Sequence, residues 1–169
     1  MVSGDELWVN VEKADVSFLE QLLSSLSKEE SEQLVNGHKK NNLFPIQYAC
    51  VLGNVDLLNV ILKYSGDVNS RSSESYTALH HASASGFDDC FERLLEANAS
   101  LLSTTIDQEF YVSGTAIYLS GGQTSLHVAC SNGSTEIVSS ILNWLSKNMV
   151  SLYLYNSLLD CVMTSLAPL

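Results

Sequence analysis

Residues 77–95, TALHHASASGFDDCFERLL, return twice in altered form, as 44-FPIQYACVLGNVDLLNVIL-62 and as 124-TSLHVACSNGSTEIVSSIL-142. Aligned without gaps, the three segments agree in an aliphatic column, an alanine column and a glycine column. The members are Ile46, Leu79 and Leu126; Ala49, Ala82 and Ala129; Gly53, Gly86 and Gly133. The first interval is 33 residues, and the second is 47, which is 33 plus an insertion of 14. A period of this length predicts a chain built from stacked copies of one small unit.

A fainter copy, 5-DELWVNVEKADVSFLEQLL-23, precedes these three, with Leu7 in the aliphatic column and Ala14 in the glycine column. The interval to the next copy is 39 residues, and 27-SKEESEQ-33 supplies the excess. Each unit is typical of two short helices. The glycine ends the first helix in the left-handed conformation, and a threonine, or Asp5 in the first unit, caps its start. Such a unit is stable only when it stacks on its neighbours.

The segments Thr77 to Gly86 and Thr124 to Gly133 resemble the ankyrin-repeat motif T-P-L-H-x-A with its following glycine, and 65-SGDVN-69 resembles the turn that closes such a repeat. The resemblance covers about residues 42–142, with 5–41 as a degenerate cap. It implies an all-α solenoid of about four helix-turn-helix units with β-turn fingers, at about 5–26, 42–69, 75–101 and 122–142. Two departures concern the motif itself, because proline is kept only at Pro45 and the histidine becomes Gln47 in the second unit.

Two segments fall outside this pattern. Residues 102–121 form an inserted finger, in which EFYV and TAIYL flank Ser113-Gly114 and predict a β-hairpin. Its aromatic residues Phe110, Tyr111 and Tyr118 belong either to a lengthened finger that packs on itself or to a protruding binding element. Residues 143–169 are a divergent fifth unit, a capping helix or an irregular tail beyond the array, which occupies 1–142.

The composition excludes several classes of function. The chain has 169 residues, a net charge of −11 and eight scattered lysines and arginines, so we expect no direct contact with nucleic acid. We expect no membrane insertion and no signal peptide, because neither a long apolar window nor a basic start followed by an apolar segment is present. The four cysteines form no CxxC pair, which favours a reducing compartment, the cytoplasm with the nucleus as a further location.

The histidines and cysteines at first suggest chemistry, but they occupy repeat columns. His80 and His127 share the column in which, in the ankyrin family, a histidine bonds to neighbouring loop backbone. Cys50, Ser83 and Cys130 share a packing column. A Cys50–His80–Cys130 metal site would need ligands at about 2.0–2.3 Å from zinc, whereas equivalent positions lie roughly 10 Å apart. We therefore expect no metal, no cofactor and no catalytic site.

The resemblance implies a non-catalytic protein-interaction module or adaptor, which binds a partner protein through the concave side made by finger tips and first helices. His81 replaces the usual leucine, as a half-buried helix residue or as a polar partner contact, and Tyr76 is the best single anchor. The alternatives are a recognition segment of a larger enzyme such as a ubiquitin ligase or kinase, an enzyme in its own right, and a regulator of nucleic-acid complexes. The candidate partner-binding residues are Leu43, Val51, Leu52, Ser73, Glu74, Tyr76, His81, Ala84, Ser85, Phe110, Tyr111, Tyr118, Gln123, Ser131 and Asn132.

Overall fold

The structure is a computed structural model that describes residues 3–105, 108–112, 115–119 and 122–147. These residues form nine α-helices and one pair of β-strands. The elements are α1 (Gly4–Lys13), α2 (Val16–Ser24), α3 (Lys28–Gly37), α4 (Pro45–Leu52), α5 (Val55–Lys63), α6 (Ala78–Ser85), α7 (Asp88–Glu96), β1 (Gln108–Val112), β2 (Thr115–Leu119), α8 (Ser125–Ser131) and α9 (Thr135–Lys147). Within the described ranges, none of the helices is long and apolar enough to cross a membrane.

The helices stack in two rows, as the repeat pattern predicts. Helices α1, α4, α6 and α8 pack on one another in sequence order and form the first row. Helices α2, α5, α7 and α9 form the second row in the same way, and each unit contributes one helix to each row. The predicted all-α solenoid is thereby confirmed, while residues 148–169, which hold the predicted fifth unit or cap, lie outside the described part.

The core runs between the two rows and is built from the repeat columns. Ala49, Ala82 and Ala129 have no exposed surface, and their small side chains let neighbouring first helices approach closely. The second helices contribute larger residues, with Leu57, Leu58, Ile61, Phe91, Leu94, Ile137 and Ile141 completely buried. Each such side chain contributes roughly 1.5–3 kcal/mol by leaving water. Because every column is shared between adjacent units, no unit has a core of its own.

The ends of the first helices follow the glycine column. Gly53 and Gly86 end α4 and α6 with φ angles of 66° and 74°, and Ala14 ends α1 at 52°, so the left-handed turn is confirmed in three units. In the fourth unit Asn132 ends α8, and Gly133 follows it at 67°. The predicted cap at Asp5 is wrong. Helix α1 begins one residue earlier than this cap requires, and Ser3 accepts the N–H of Glu6 at 3.3 Å.

The threonine caps also differ from expectation. Thr77 precedes α6, but its hydroxyl is not the acceptor that caps the helix. Instead, the N–H of Thr77 donates to Nδ1 of His80 at 3.2 Å, and the hydroxyl lies 2.9 Å from the same nitrogen. Thr124 and His127 repeat this arrangement at 3.0 and 2.9 Å. The motif histidine therefore orders the entry into the helix, because its ring engages both the backbone and the side chain of the threonine.

The excess residues of the first unit form a helix of their own, α3. Ser27 and Glu30 make a reciprocal capping box at its start, with distances of 3.0 and 3.3 Å. At its end Asn36 donates to the carbonyl of Ser65 at 2.9 Å and accepts the N–H of Asp67 at 2.7 Å. One repeat later, Asn69 accepts the N–H of Ser100 at 2.8 Å. The asparagines at this 33-residue spacing thus join each closing turn to the next.

The inserted finger contains the predicted hairpin. Strands β1 and β2 pair antiparallel, with Gln108 opposite Leu119 and Val112 opposite Thr115. The same register continues towards the array, where the N–H of Gly122 donates to the carbonyl of Thr105 at 2.9 Å. The turn residues Ser113 and Gly114 lie outside the described part of the chain. The hairpin is therefore a continuous two-stranded extension of the third finger.

Candidate functional site

The predicted partner-binding residues lie on the finger turns and on the last turns of α4, α6 and α8. Because these three helices pack side by side, their ends form one row across units 2 to 4. The fingers precede them at Lys40–Leu43, Ser72–Tyr76 and Thr105–Gln123. We call this region the finger surface, with the members Leu43, Val51, Leu52, Ser73, Glu74, Tyr76, Ala84, Ser85, Gln123, Ser131 and Asn132.

The part of the finger surface in units 2 and 3 is apolar. Val51 is 38 % exposed and Leu52 is 42 % exposed on the last turn of α4. Ala84 is exposed on α6, and Leu43 and Tyr76 are half-buried at the tips of the first two fingers. Exposed aliphatic groups at neighbouring repeat positions form a patch that a partner side chain can cover.

The second finger is a rigid turn that presents Glu74 and Tyr76. Its base is closed because the N–H of Ser72 donates to the carbonyl of Tyr76 at 2.9 Å, while the Ser72 hydroxyl accepts the N–H of Tyr76 at 3.2 Å. The hydroxyls of Ser73 and Ser72 donate to the Glu74 carboxylate at 2.6 and 2.9 Å and lower its pKa. Glu74 is therefore an ordered anion at the tip.

His81 lies beneath the aromatic ring of this finger. The ring of Tyr76 lies 5.6 Å from that of His81 and 5.5 Å from that of His80, between centroids. Nε2 of His81 is buried and has no hydrogen-bond partner. Burial lowers the pKa of His81 to about 4, and the neighbouring His80 lowers it further, against the opposing effect of Glu74. His81 is thus neutral at neutral pH, with a polar atom that the folded chain leaves unpaired.

His80 and Gln47 do the same work in successive units. Nε2 of Gln47 donates to the carbonyl of Tyr76 at 2.9 Å, and its Oε1 accepts the N–H of Phe44 at 3.0 Å. One repeat later, Nε2 of His80 lies 3.0 Å from the carbonyl of Gln123. Since Nδ1 of His80 accepts a backbone N–H, its proton resides on Nε2, and burial lowers its pKa. Gln47, a departure in sequence, therefore preserves the function of the motif histidine.

Gln123 belongs to the scaffold as well as to the finger surface. Its carbonyl also accepts the N–H of Thr105 at 3.0 Å, and its own N–H donates to the Thr105 hydroxyl at 3.3 Å. Sequence reasoning did not identify Thr105, although it stands immediately before the insertion. The side chains of Phe110, Tyr111 and Tyr118, proposed as protruding anchors, lie outside the described part, as do Ser120 and Gly121.

Asn132 is likewise part of the scaffold. Its Nδ2 donates to the carbonyl of Ala84 at 3.1 Å, which links the end of α8 to the end of α6. The expectation that Asn132 is left free by the repeat is therefore wrong. An asparagine at this position reaches the last carbonyls of the preceding first helix, because the two helix ends lie side by side.

The fingers are also linked by cationic side chains. Nζ of Lys39 donates to the carbonyl of Arg71 at 3.2 Å and lies 4.3 Å from the ring centre of Phe44. The guanidinium of Arg71 donates in turn to the carbonyl of Thr104 at 3.2 Å. Each finger thus supplies a cation that holds the backbone of the next, a role that the scattered basic residues did not reveal in the sequence.

The negative charge lies mainly behind the finger surface, on the second helices and α3. The residues are Glu20, Glu29, Glu30, Glu32, Asp56, Asp88, Asp89, Glu92, Glu96 and Glu136. Near the fingers, Glu12 is paired with Lys40 at 2.7 Å. The finger surface is therefore less acidic than the net charge of −11 suggests.

The cysteines of the described ranges are free thiols. Cys50 and Cys90 are fully buried, and the hydrogen bond between them, together with burial, raises the pKa of Cys50. Burial also raises the pKa of Cys130. Over these ranges, histidine, cysteine and carboxylate side chains form no group able to hold a metal ion.

Comparison with known proteins gives matches that follow the repeat boundaries. A family model of three ankyrin repeats matches residues 7–105, and a model of one ankyrin repeat matches residues 121–148. The human transient receptor potential cation channel subfamily A member 1 is 25 % identical over 120 residues. This similarity covers 69 % of the chain but only 10 % of the channel protein.

Proposed function

The chain belongs to the ankyrin-repeat family, and from that premise we propose that it is a non-catalytic module that binds a partner protein through the finger surface. Ankyrin repeats generally mediate interactions between proteins. The observation that carries the proposal is the exposed apolar patch of Val51 and Leu52 beside the ordered finger of Tyr76. The partner loses little conformational entropy to this surface, because the chain has already fixed the finger backbones.

The charge distribution supports contact through apolar groups. Glu12 and Lys40 neutralise each other at one border of the patch, and Ser131 and Asn132 form the uncharged opposite border. Exposed charges respond to ionic strength, whereas apolar burial responds far less. We therefore expect an affinity that changes little with salt, although the chain as a whole is strongly acidic.

The test begins with affinity capture from a cell extract, identification of the partner by mass spectrometry, and measurement of its affinity as a purified protein. Tyr76→Ala should weaken binding by about 30-fold, the effect of losing a central aromatic anchor worth about 2 kcal/mol. Leu52→Ser should weaken it in the same direction. Leu142→Ser is the matched control, because Leu142 is equally exposed, at 46 %, but lies on α9 in the second row. Equal affinities for the wild type and Tyr76→Ala would rule out the finger surface.

A recognition segment within a larger protein, such as a ubiquitin ligase or kinase, is the second candidate. The observation that favours it is the comparison with the human channel protein, because the similar region occupies only a tenth of that protein. The full-length transcript tests this candidate, which requires an open reading frame that continues past Leu169 into a catalytic domain.

We propose further that the chain works in a reducing compartment such as the cytoplasm and contacts no nucleic acid directly. The free thiols support the first point and the net charge of −11 supports the second. Fluorescence titration with a labelled duplex at low salt tests the second point, with no saturable binding expected.

A further inference from the structure

The N-terminal end of the stack exposes residues that every later unit buries. Phe18 on α2 is 46 % exposed, whereas its equivalents Leu57, Cys90 and Ile137 have no exposed surface. The local sequence position is the same in all four units, and the difference is the presence of a preceding unit. Val9 on α1 is also 46 % exposed. We call this exposed side of α1 and α2 the N-terminal face, and its geometry is that of a repeat prepared to stack on another.

The opposite end has the complementary feature. Leu142 on α9 is 46 % exposed, whereas its equivalents Leu23 and Leu95 are 0 % and 3 % exposed, with a following unit packed beside them. We call the side of α9 that carries Leu142 and Ser139 the C-terminal face. The two faces are therefore the halves of the unit–unit interface that recurs within the chain.

The polar border of this interface follows a fixed rule inside the array. At the join of units 1 and 2, Lys63 donates to Glu20 at 2.5 Å, and at the next join Arg93 donates to Asn59 at 2.6 Å. At the third join Ser140 lies 3.0 Å from the carboxylate of Glu92. The accepting residue always occupies the same repeat column, that of Glu20, Asn59 and Glu92.

The free ends satisfy the same rule with uncharged groups. Ser139 occupies the accepting column on α9, and its hydroxyl donates to the carbonyl of Thr135 at 2.8 Å, which leaves lone pairs available to accept. Gln21 occupies the donating column of Arg93 and Ser140 and is exposed on α2. An amide that donates to a hydroxyl completes the join without bringing like charges together.

We propose that a second copy of this chain stacks head to tail on the first, with the N-terminal face of one molecule on the C-terminal face of the other. Phe18 then packs beside Leu142, and Gln21 donates to Ser139. The contact continues the two helix rows across the junction. Such a contact is heterologous, since each molecule keeps one free face of each kind, so association proceeds beyond the dimer.

Sedimentation velocity over a concentration series tests this arrangement. The weight-average mass of the wild type should rise above the 18.5 kDa of one chain and continue past a dimer. Phe18→Asp and Leu142→Asp each remove one face, and each variant alone should stay at the mass of one chain. An equimolar mixture of the two variants should form a dimer and stop there, because one intact face of each kind remains.

The matched control is Leu102→Asp, which charges an apolar side chain that is 47 % exposed but lies on neither face. It should associate as the wild type does, and circular dichroism should show all variants to be folded. A wild type that stays monomeric overturns the proposal. So does association of Leu142→Asp alone at the wild-type level, which would indicate contact between two N-terminal faces, and so does a loss of association in Leu102→Asp, which would indicate unspecific apolar contact.

Discussion

Nε2 of His80 lies 3.0 Å from the carbonyl oxygen of Gln123, although the two residues are 43 positions apart. The same oxygen accepts the N–H of Thr105 at 3.0 Å, at the base of the inserted hairpin. One buried imidazole therefore connects the first helix of unit 3 to both ends of the insertion. Because Gln47 makes the equivalent bond to Tyr76, the connection is a property of the repeat position and does not require a histidine.

We expect His80→Gln to retain most of the stability and His80→Ala to lose about 2–3 kcal/mol, because alanine leaves a cavity and an unpaired carbonyl. Urea denaturation gives the free energies of unfolding. Gln47→His is the reciprocal variant and should cost less than about 1 kcal/mol. An equal loss in His80→Gln and His80→Ala would contradict the equivalence of the two side chains.

Acidification should destabilise the fold through its buried histidines. An unfolded histidine takes up a proton near pH 6.5, whereas His81 does so at about 4 when folded, and the folded pKa of His80 is also lowered. The unfolded state thus binds more protons between these values, so the free energy of unfolding falls as the pH is lowered from 6.5 towards 4.

The contribution of His81 is at most about 3 kcal/mol over this window, from about 1.4 kcal/mol for each pH unit. His81→Leu should flatten the decrease measured by urea denaturation at successive pH values. The same variant should be more stable than the wild type at neutral pH, because it removes the unpaired Nε2. An unchanged pH dependence in His81→Leu would assign the acid sensitivity to other groups.

Alanine at the two glycines should separate backbone strain from contact. Gly86→Ala should cost about 1–2 kcal/mol, since φ is +74° and the nearest atom to an added methyl group is Oγ of Ser134 at 3.8 Å. Gly53→Ala should cost more, because φ is +66° and the methyl group would lie 2.5 Å from Cδ1 of Phe87.

The ring of Phe87 can be tested directly in a double-mutant cycle. Adding Phe87→Ala to Gly53→Ala should recover about 1 kcal/mol relative to the sum of the single changes. Adding it to Gly86→Ala should recover less. Additive effects at Gly53 would show that the ring moves aside without cost.

Asn36 should matter more than an exposed asparagine. Asn36→Ala removes both the donor to Ser65 and the acceptor for the N–H of Asp67, so we expect a loss of about 1–2 kcal/mol in urea denaturation. Asn36→Asp keeps the acceptor and should lose less. Asn143→Ala, in the exposed part of α9, is the control and should change stability by less than about 0.5 kcal/mol.

The repeat columns predicted the helix rows, the left-handed turns and the backbone role of His80. These features depend on local periodicity and on residues such as Gly53, whose conformational freedom is visible in the sequence itself. Helix α3 was not predicted, although Ser27 followed by Glu30 is a capping-box signal that could have identified it.

The choice of hydrogen-bond partners could not be predicted. Asn132 was expected to face a partner but bonds to Ala84, and Thr105 was not considered until the structure placed it beside Gln123. Likewise, nothing in the sequence indicates that Tyr76 lies over His81. Such pairs join residues that are several or many positions apart, and they depend on how closely neighbouring units approach.

The pairing of Thr105 with Gly122 has a consequence for how this chain can be varied. Since the chain leaves the array at one residue and returns at its hydrogen-bonded neighbour, everything between them is a closed excursion whose length leaves α8 in place. A peptide of different sequence, or a small domain whose termini lie close together, can be inserted there while the helical stack is retained. The third finger is in this sense a natural grafting site.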